Sequence, residues 1–185
     1  MTLRRGFKSE ANIYARELRL ELGLAAEAPL CPFKTSEIVG VEVRKLSSYI
    51  SDLPKEAAYL MRNDRSIRLS AITACFGCER IIIYNDSLPS TRSYADIMHE
   101  ISHILLMHPP HRLRADTGGR HYDAELEEEA NWLGPALLVS EEAALSVAQQ
   151  HLGVRAAAAA YGVSPSLMQM RLNVTGAQRR VARAA

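Results

Sequence analysis

The chain has 185 residues, 48% of them hydrophobic and 23% charged, and its charges nearly cancel at a formal +1. That length is enough for one compact domain with a core of its own, and so small a net charge argues against a protein drawn to nucleic acid or membrane by charge. No apolar run is long enough to span a bilayer, the start (MTLRRGFKSEAN) lacks the apolar segment of a secretory signal, and three cysteines make no disulfide framework, so a reducing cytoplasm is the expected compartment.

Ser9 is the first candidate N-cap, followed by Ala11, Tyr14, Ala15, Leu18 and Leu22 on one helix face that ends at Gly23. After a loop with Pro29 and Pro32, a short helix is expected from Phe33 to Val39, closed by Gly40, and Val41 to Leu46 alternates as a strand. Lys55 to Met61 has room for one or two helical turns, and Asn63 to Arg68 reads as a loop. Ala71 to Cys75 and Arg80 to Tyr84 are β-prone runs on either side of Gly77, which predicts a hairpin over Ser70 to Tyr84. Cys75 and Cys78 sit across its turn. With no second pair to complete a zinc knuckle, they and Cys31 are expected as small buried side chains.

The most informative stretch is SYADIMHEISHILLMH, Ser93 to His108. Tyr94, Ile97, Met98, Ile101, Ile104 and Leu105 repeat at helical spacing, with Ser90 to Ser93 as capping candidates and Pro109-Pro110 as the stop. His99 and His103 stand four apart on the opposite face, where two imidazoles can share one Zn2+ and Glu100 can reach a water on that metal. Leu106 and Met107 flank that face and are expected to touch a second layer. His111 to Asp123 is polar, holds Gly118-Gly119 and reads as an exposed loop of the kind that often serves as a lid.

Two histidines need a third ligand. The pattern with a glycine and a third histidine further along fails, because Leu106 and Pro109 occupy those places. A carboxylate from a later helix is the other source, and YDAELEEEANWLGPALL supplies it. Glu127 is the expected ligand. Asn131 is on the same face, placed to accept a hydrogen bond from the far nitrogen of a ligand histidine, and Gly134 would let the two helices come close. Glu128 and Glu129 are expected in solvent. Pro135 should kink or split this helix, Ser140 begins another, the alanine run Ala156 to Ala160 carries helix to Gly162, and Ser164-Pro165 starts the last one, ending before Gly176. Gln178 to Ala185 reads as a frayed basic tail.

HEISH followed by EEEANWLGPALL resembles the ImmA/IrrE family of bacterial and phage metallopeptidases, whose hallmark is H-E-x-x-H and then a helix carrying E-x-x-A-N or E-x-x-A-D. Glu127, Ala130 and Asn131 match that second motif, and the likeness is best from about Ser70 to Ser140. The chain departs from the family at Gly134-Pro135 and at Val139-Ser140. The expected fold is α+β: mostly helical, with a small antiparallel sheet of about three strands beside the H-E-x-x-H helix. Residues 1–140 would form a zincin-like peptidase unit and 141–185 a helical appendage packed on the same core. The expected site is His99, His103 and Glu127 around Zn2+, with Glu100 as the catalytic base, Asn131 behind the ligands, and His121 and Tyr122 as candidates for an oxyanion or lid role. The same ligand types also accept Mn2+ or Fe2+.

The resemblance implies a substrate as well: a separately encoded helix-turn-helix repressor, cut to release stress-response or mobile-element genes. Two other readings compete with it. One is a binding module that sequesters a regulator without cutting it. The other is a DNA-binding regulator using the helix-turn-helix-like segment Ala159 to Leu172, whose second helix offers Arg171 but few other cations. Direct nucleic-acid binding and membrane association are not expected.

Overall fold

The computed structural model describes residues 3–61, 69–77, 79–109 and 123–184. Elements run in the order α1 (Phe7–Glu21), α2 (Pro32–Val39), β1 (Glu42–Lys45), a 3-10 turn (Leu46–Tyr49), α3 (Pro54–Leu60), β2 (Ala71–Phe76), β3 (Glu79–Tyr84), α4 (Ser90–Leu105), α5 (Ala124–Leu138), α6 (Glu141–Gln149), α7 (Val154–Ala160), α8 (Pro165–Thr175) and α9 (Ala177–Ala184). The fold is therefore α+β and mostly helical, as the sequence indicates. No helix among the described residues is long and apolar enough to cross a membrane.

The sheet has the order β1-β3-β2. β2 and β3 form the expected antiparallel hairpin, with Thr73 opposite Ile82 and Ala71 opposite Tyr84. β1, however, runs parallel to β3, with Val43 opposite Ile82, so the sheet is mixed and not antiparallel. The reason is the long excursion through α3 and β2, which returns the chain to β1 from the far side, as a parallel pair requires. This leaves β3 in the centre and β2 as an edge. Ile82 is fully buried and Tyr84 nearly so, on the face against which α4 packs. Phe33 of α2 meets Tyr84 and Tyr94 edge-on at 5.8 and 5.9 Å, tying helix, sheet and α4 together.

α4 and α5 form the central pair. Ile97, Met98, Ile101, Ala130, Leu133 and Leu137 are all fully buried, and α1 packs on α5 from the other side through Phe7, Ala11 and Ala15. The same hydrophobic cluster continues into the last helices through Ala144, Ala157, Met168 and Ala177. Each residue of this kind contributes roughly 1.5–3 kcal/mol when a large aliphatic side chain is fully withdrawn from water.

Several local expectations change. α1 starts two residues before Ser9, because Gly6 takes a left-handed φ of 87° and brings Phe7 into the core. α4 begins after Pro89 with no side-chain cap, so none of Ser90 to Ser93 fills that role. Pro135 does not split α5: the helix runs on to Leu138. Proline cannot donate to the carbonyl four residues back, that of Asn131, a residue at the surface. The last residues are a helix and not a frayed tail, because Gly176 at φ 63° turns α9 back onto α6, where Ala177 is buried and Arg180 pairs with Glu141. Cys75 is exposed and Cys31 half-buried, against the expectation of burial; Cys78 lies outside the described residues.

Two arginines are buried without a carboxylate at hydrogen-bond distance among the described residues. Arg19, fully buried, donates from Nε to the Ala28 carbonyl at 2.8 Å, from Nη1 to Ala15 at 2.9 Å and from Nη2 to Leu137 at 2.9 Å. Arg171 donates from Nε to the Val139 carbonyl at 2.8 Å. Both therefore satisfy carbonyls at the C-terminal end of α5, where helical backbone acceptors lack partners and the helix dipole is negative. Burial lowers the pKa of each guanidinium to about 10. Arg171 is thus structural, and the helix-turn-helix-like segment loses the cation that a DNA reader would have used.

Candidate metal centre

The H-E-x-x-H residues lie within α4, a helix stabilised by its buried Ile97, Met98 and Ile101 face. His99 and His103, one turn apart, bring their Nε2 atoms to 3.1 Å of each other. Glu127, near the start of α5, places Oε2 at 3.4 Å from His99 Nε2 and Oε1 at 3.6 Å from His103 Nε2. Two ligands about 2.0–2.1 Å from a shared tetrahedral zinc would lie about 3.3 Å apart, so these spacings suit one ion. Three ligand atoms converge, and a tetrahedral ion would keep a fourth position for water or substrate.

The two helices can meet because of Gly134. A Cβ there would lie 3.3 Å from the His99 backbone nitrogen and 3.4 Å from its Cα, so the α5 backbone rests almost directly on that of α4. Burial alone would lower the pKa of His99, but the hydrogen bond to Glu127 and the charges of Glu100, Glu127 and Asp96 outweigh it and hold the ring above its ordinary value. Such a concentration of negative charge around two imidazoles favours a cation.

Glu100 is nearly buried, and the Thr73 hydroxyl on β2 donates to its Oε2 at 2.6 Å. This bond orients the carboxylate and joins the edge strand to the site. Glu100, Thr73, Cys75, Arg80, His103 and Ile104 line a small recess. The carboxylate therefore lines a space that it shares with His103, one of the three converging ligands.

The other sequence candidates fall differently. Asn131 is exposed and makes no hydrogen bond to His99 or His103 among the described residues. The side of α5 toward α4 follows Glu127, the buried Ala130 and Gly134, which leaves Asn131 at its margin. The Nδ1 atom of His103 is met instead by Nδ1 of His108, at 2.9 Å. Glu129 is not solvated: its side chain is 14% exposed and pairs with Arg4 and His108. Met107 is 84% exposed and makes no second-layer contact, because the chain turns sharply after Leu105. His121 and Tyr122, together with the loop expected over His111 to Asp123, lie outside the described residues apart from Asp123; so does the loop expected over Asn63 to Arg68. Asp123 itself caps α5, accepting from the Glu125 and Leu126 amides. His151 is at the surface.

Sequence reasoning missed the burial of His108. Its nearness to the motif was visible, but the turn that brings its ring back onto His103 was not.

A family model described as an IrrE N-terminal-like domain, of the peptidase M78 type, matches residues 37–173, from within α2 to within α8. Among curated proteins none matches the chain.

Proposed function

The chain belongs to the ImmA/IrrE family of metallopeptidases, and from that membership we propose that it is a zinc-dependent endopeptidase acting in the cytoplasm on a separately encoded helix-turn-helix repressor. The observation that carries the catalytic reading is the convergence of His99, His103 and Glu127, with the Glu100 carboxylate beside them. A zinc ion bound by those three side chains supplies Lewis acidity toward a peptide carbonyl and makes a water acidic enough to lose a proton near neutral pH.

The remaining steps belong to the protein. Glu100, oriented by Thr73, accepts the proton of the attacking water and returns it to the leaving amine. β2 is an edge of the sheet, so an extended substrate segment can pair with it and run past Thr73 toward Glu100. The repressor as substrate rests on the family resemblance, as does the stress or mobile-element circuit in which it would act.

The test is incubation of the purified protein with the repressor encoded beside it, with zinc or with a chelator. Zinc-dependent cleavage is expected, and Glu100→Gln should keep zinc while cutting about 10²–10⁴-fold more slowly. A Glu100→Gln variant that cuts at the wild-type rate overturns the role given to Glu100. A stable, uncut complex would favour the sequestering module instead.

A further inference from the structure

Behind His103 lies a line of polar groups that peptide hydrolysis does not itself require. We propose that His108, Glu129 and Arg4 are positioning residues that hold His103 in the one tautomer able to bind a divalent metal. This rests on the reading of His99, His103 and Glu127 as a metal site.

The hydrogen bonds decide the tautomer. His103 turns Nε2 toward His99 and Glu127, so a metal binds there only if the ring proton sits on Nδ1. That Nδ1 lies 2.9 Å from His108 Nδ1, which must then accept. The proton of His108 is left on Nε2, 3.3 Å from Glu129 Oε2, and Glu129 Oε1 accepts from Arg4 Nε at 2.7 Å. Every donor in this order meets an acceptor. In the reverse order, with a neutral His108 donating to His103, the bare His108 Nε2 lone pair would face the Glu129 carboxylate with no proton between them. The carboxylate at the far end therefore selects the tautomer at the near end. Ligand histidines commonly donate directly to a carboxylate or carbonyl; here a second imidazole is interposed.

The backbone is shaped for this arrangement. At the end of α4 the His108 amide bonds the His103 carbonyl at 2.9 Å and the Met107 amide bonds that of Ile104 at 3.0 Å. This is a Schellman ending, whose sixth residue normally packs on its first. Those residues are His108 and His103, with ring centroids 5.0 Å apart. The residue at the left-handed position is usually glycine, but here it is Met107 at φ 53°, a conformation unfavourable for a side chain and maintained by its surroundings. His108 is 6% exposed, and Arg4 is itself anchored by Glu10 and by the Phe7 ring beneath it. Arg4 precedes the segment matched by the family model, so the far end of this chain of contacts lies outside that segment.

The test measures zinc affinity by chelator competition, at a temperature where circular dichroism shows every variant folded. His108→Leu removes both hydrogen bonds and should weaken zinc binding about 10- to 100-fold. His108→Gln keeps one acceptor and one donor and should restore most of the affinity, together with the visible spectrum of the Co2+-loaded protein. Glu129→Ala should weaken zinc alone but add little to His108→Leu, because the two act through one path. Should His108→Leu not fold, Glu129→Ala decides the matter by the same measurement. Wild-type affinity in these variants, or strictly additive losses, overturns the proposal while the metal site stands. A wild-type protein that takes up no zinc overturns the site reading itself.

Discussion

The two ends of α5 are built on opposite plans. At its start Asp123 caps the helix, and Glu127 and Glu129 extend from the first turns toward imidazoles, so acidic groups sit at the positive end of the helix dipole. At its finish Leu137, Leu138 and Val139 are fully buried, and their carbonyls are met by the guanidinium groups of Arg19 and Arg171. One end presents charge that a ligand can use. The other consumes charge to close off backbone that water cannot reach. Gly134 lies between them, where α5 touches α4. One helix thus joins a closed end to the end that carries the candidate metal ligand.

This contrast can be broken one end at a time. Glu127→Ala should have the largest effect, lowering zinc affinity by more than about 100-fold, beyond the range for residues that only support a ligand. The metal-free protein should keep its urea midpoint, and a large loss of metal-free stability would instead make Glu127 a structural residue. Arg19→Met should do the reverse. Carbonyls left without partners in the core would cost about 2–4 kcal/mol in urea denaturation, with zinc affinity unchanged while the protein is folded. If stability holds, the locked end does not depend on that cation. Gly134→Ala tests the middle and should have the smallest effect. Helix propensity favours alanine by about 1 kcal/mol, which offsets the tight contact with His99, so stability should barely move. The α4 backbone must nevertheless shift by tenths of an ångström, and zinc should bind a few-fold more weakly. Unchanged affinity would show that the site tolerates a looser helix contact.

What could be read from the sequence was mostly periodic or punctuated. His99 and His103 at a spacing of four share a helix face whatever surrounds them, and Gly40 and Gly176 end helices because their left-handed backbone suits residues without a side chain. Glu127 could be named as the third ligand because a later acidic helix was the remaining source. His108, by contrast, depends on a turn made by Met107, a residue with no tendency toward that conformation. Glu129 looked solvated because nothing in EEEAN shows that Arg4 lies across from it. The parallel pairing of β1 and the helical state of α9 depend on partners distant in the chain, β3 and α6.

The sequence by itself determined most of the helices, the hairpin and the candidate ligand residues, since those follow from spacing within one element and from side-chain type. Tertiary structure alone decided how the ligands are held: which imidazole stands behind His103, which carboxylate stands behind that, and which arginines close the far end of α5. Hydrogen bonds of that kind join groups as far apart in sequence as Arg4 and Glu129, and only folding brings their donors and acceptors within about 3 Å of one another.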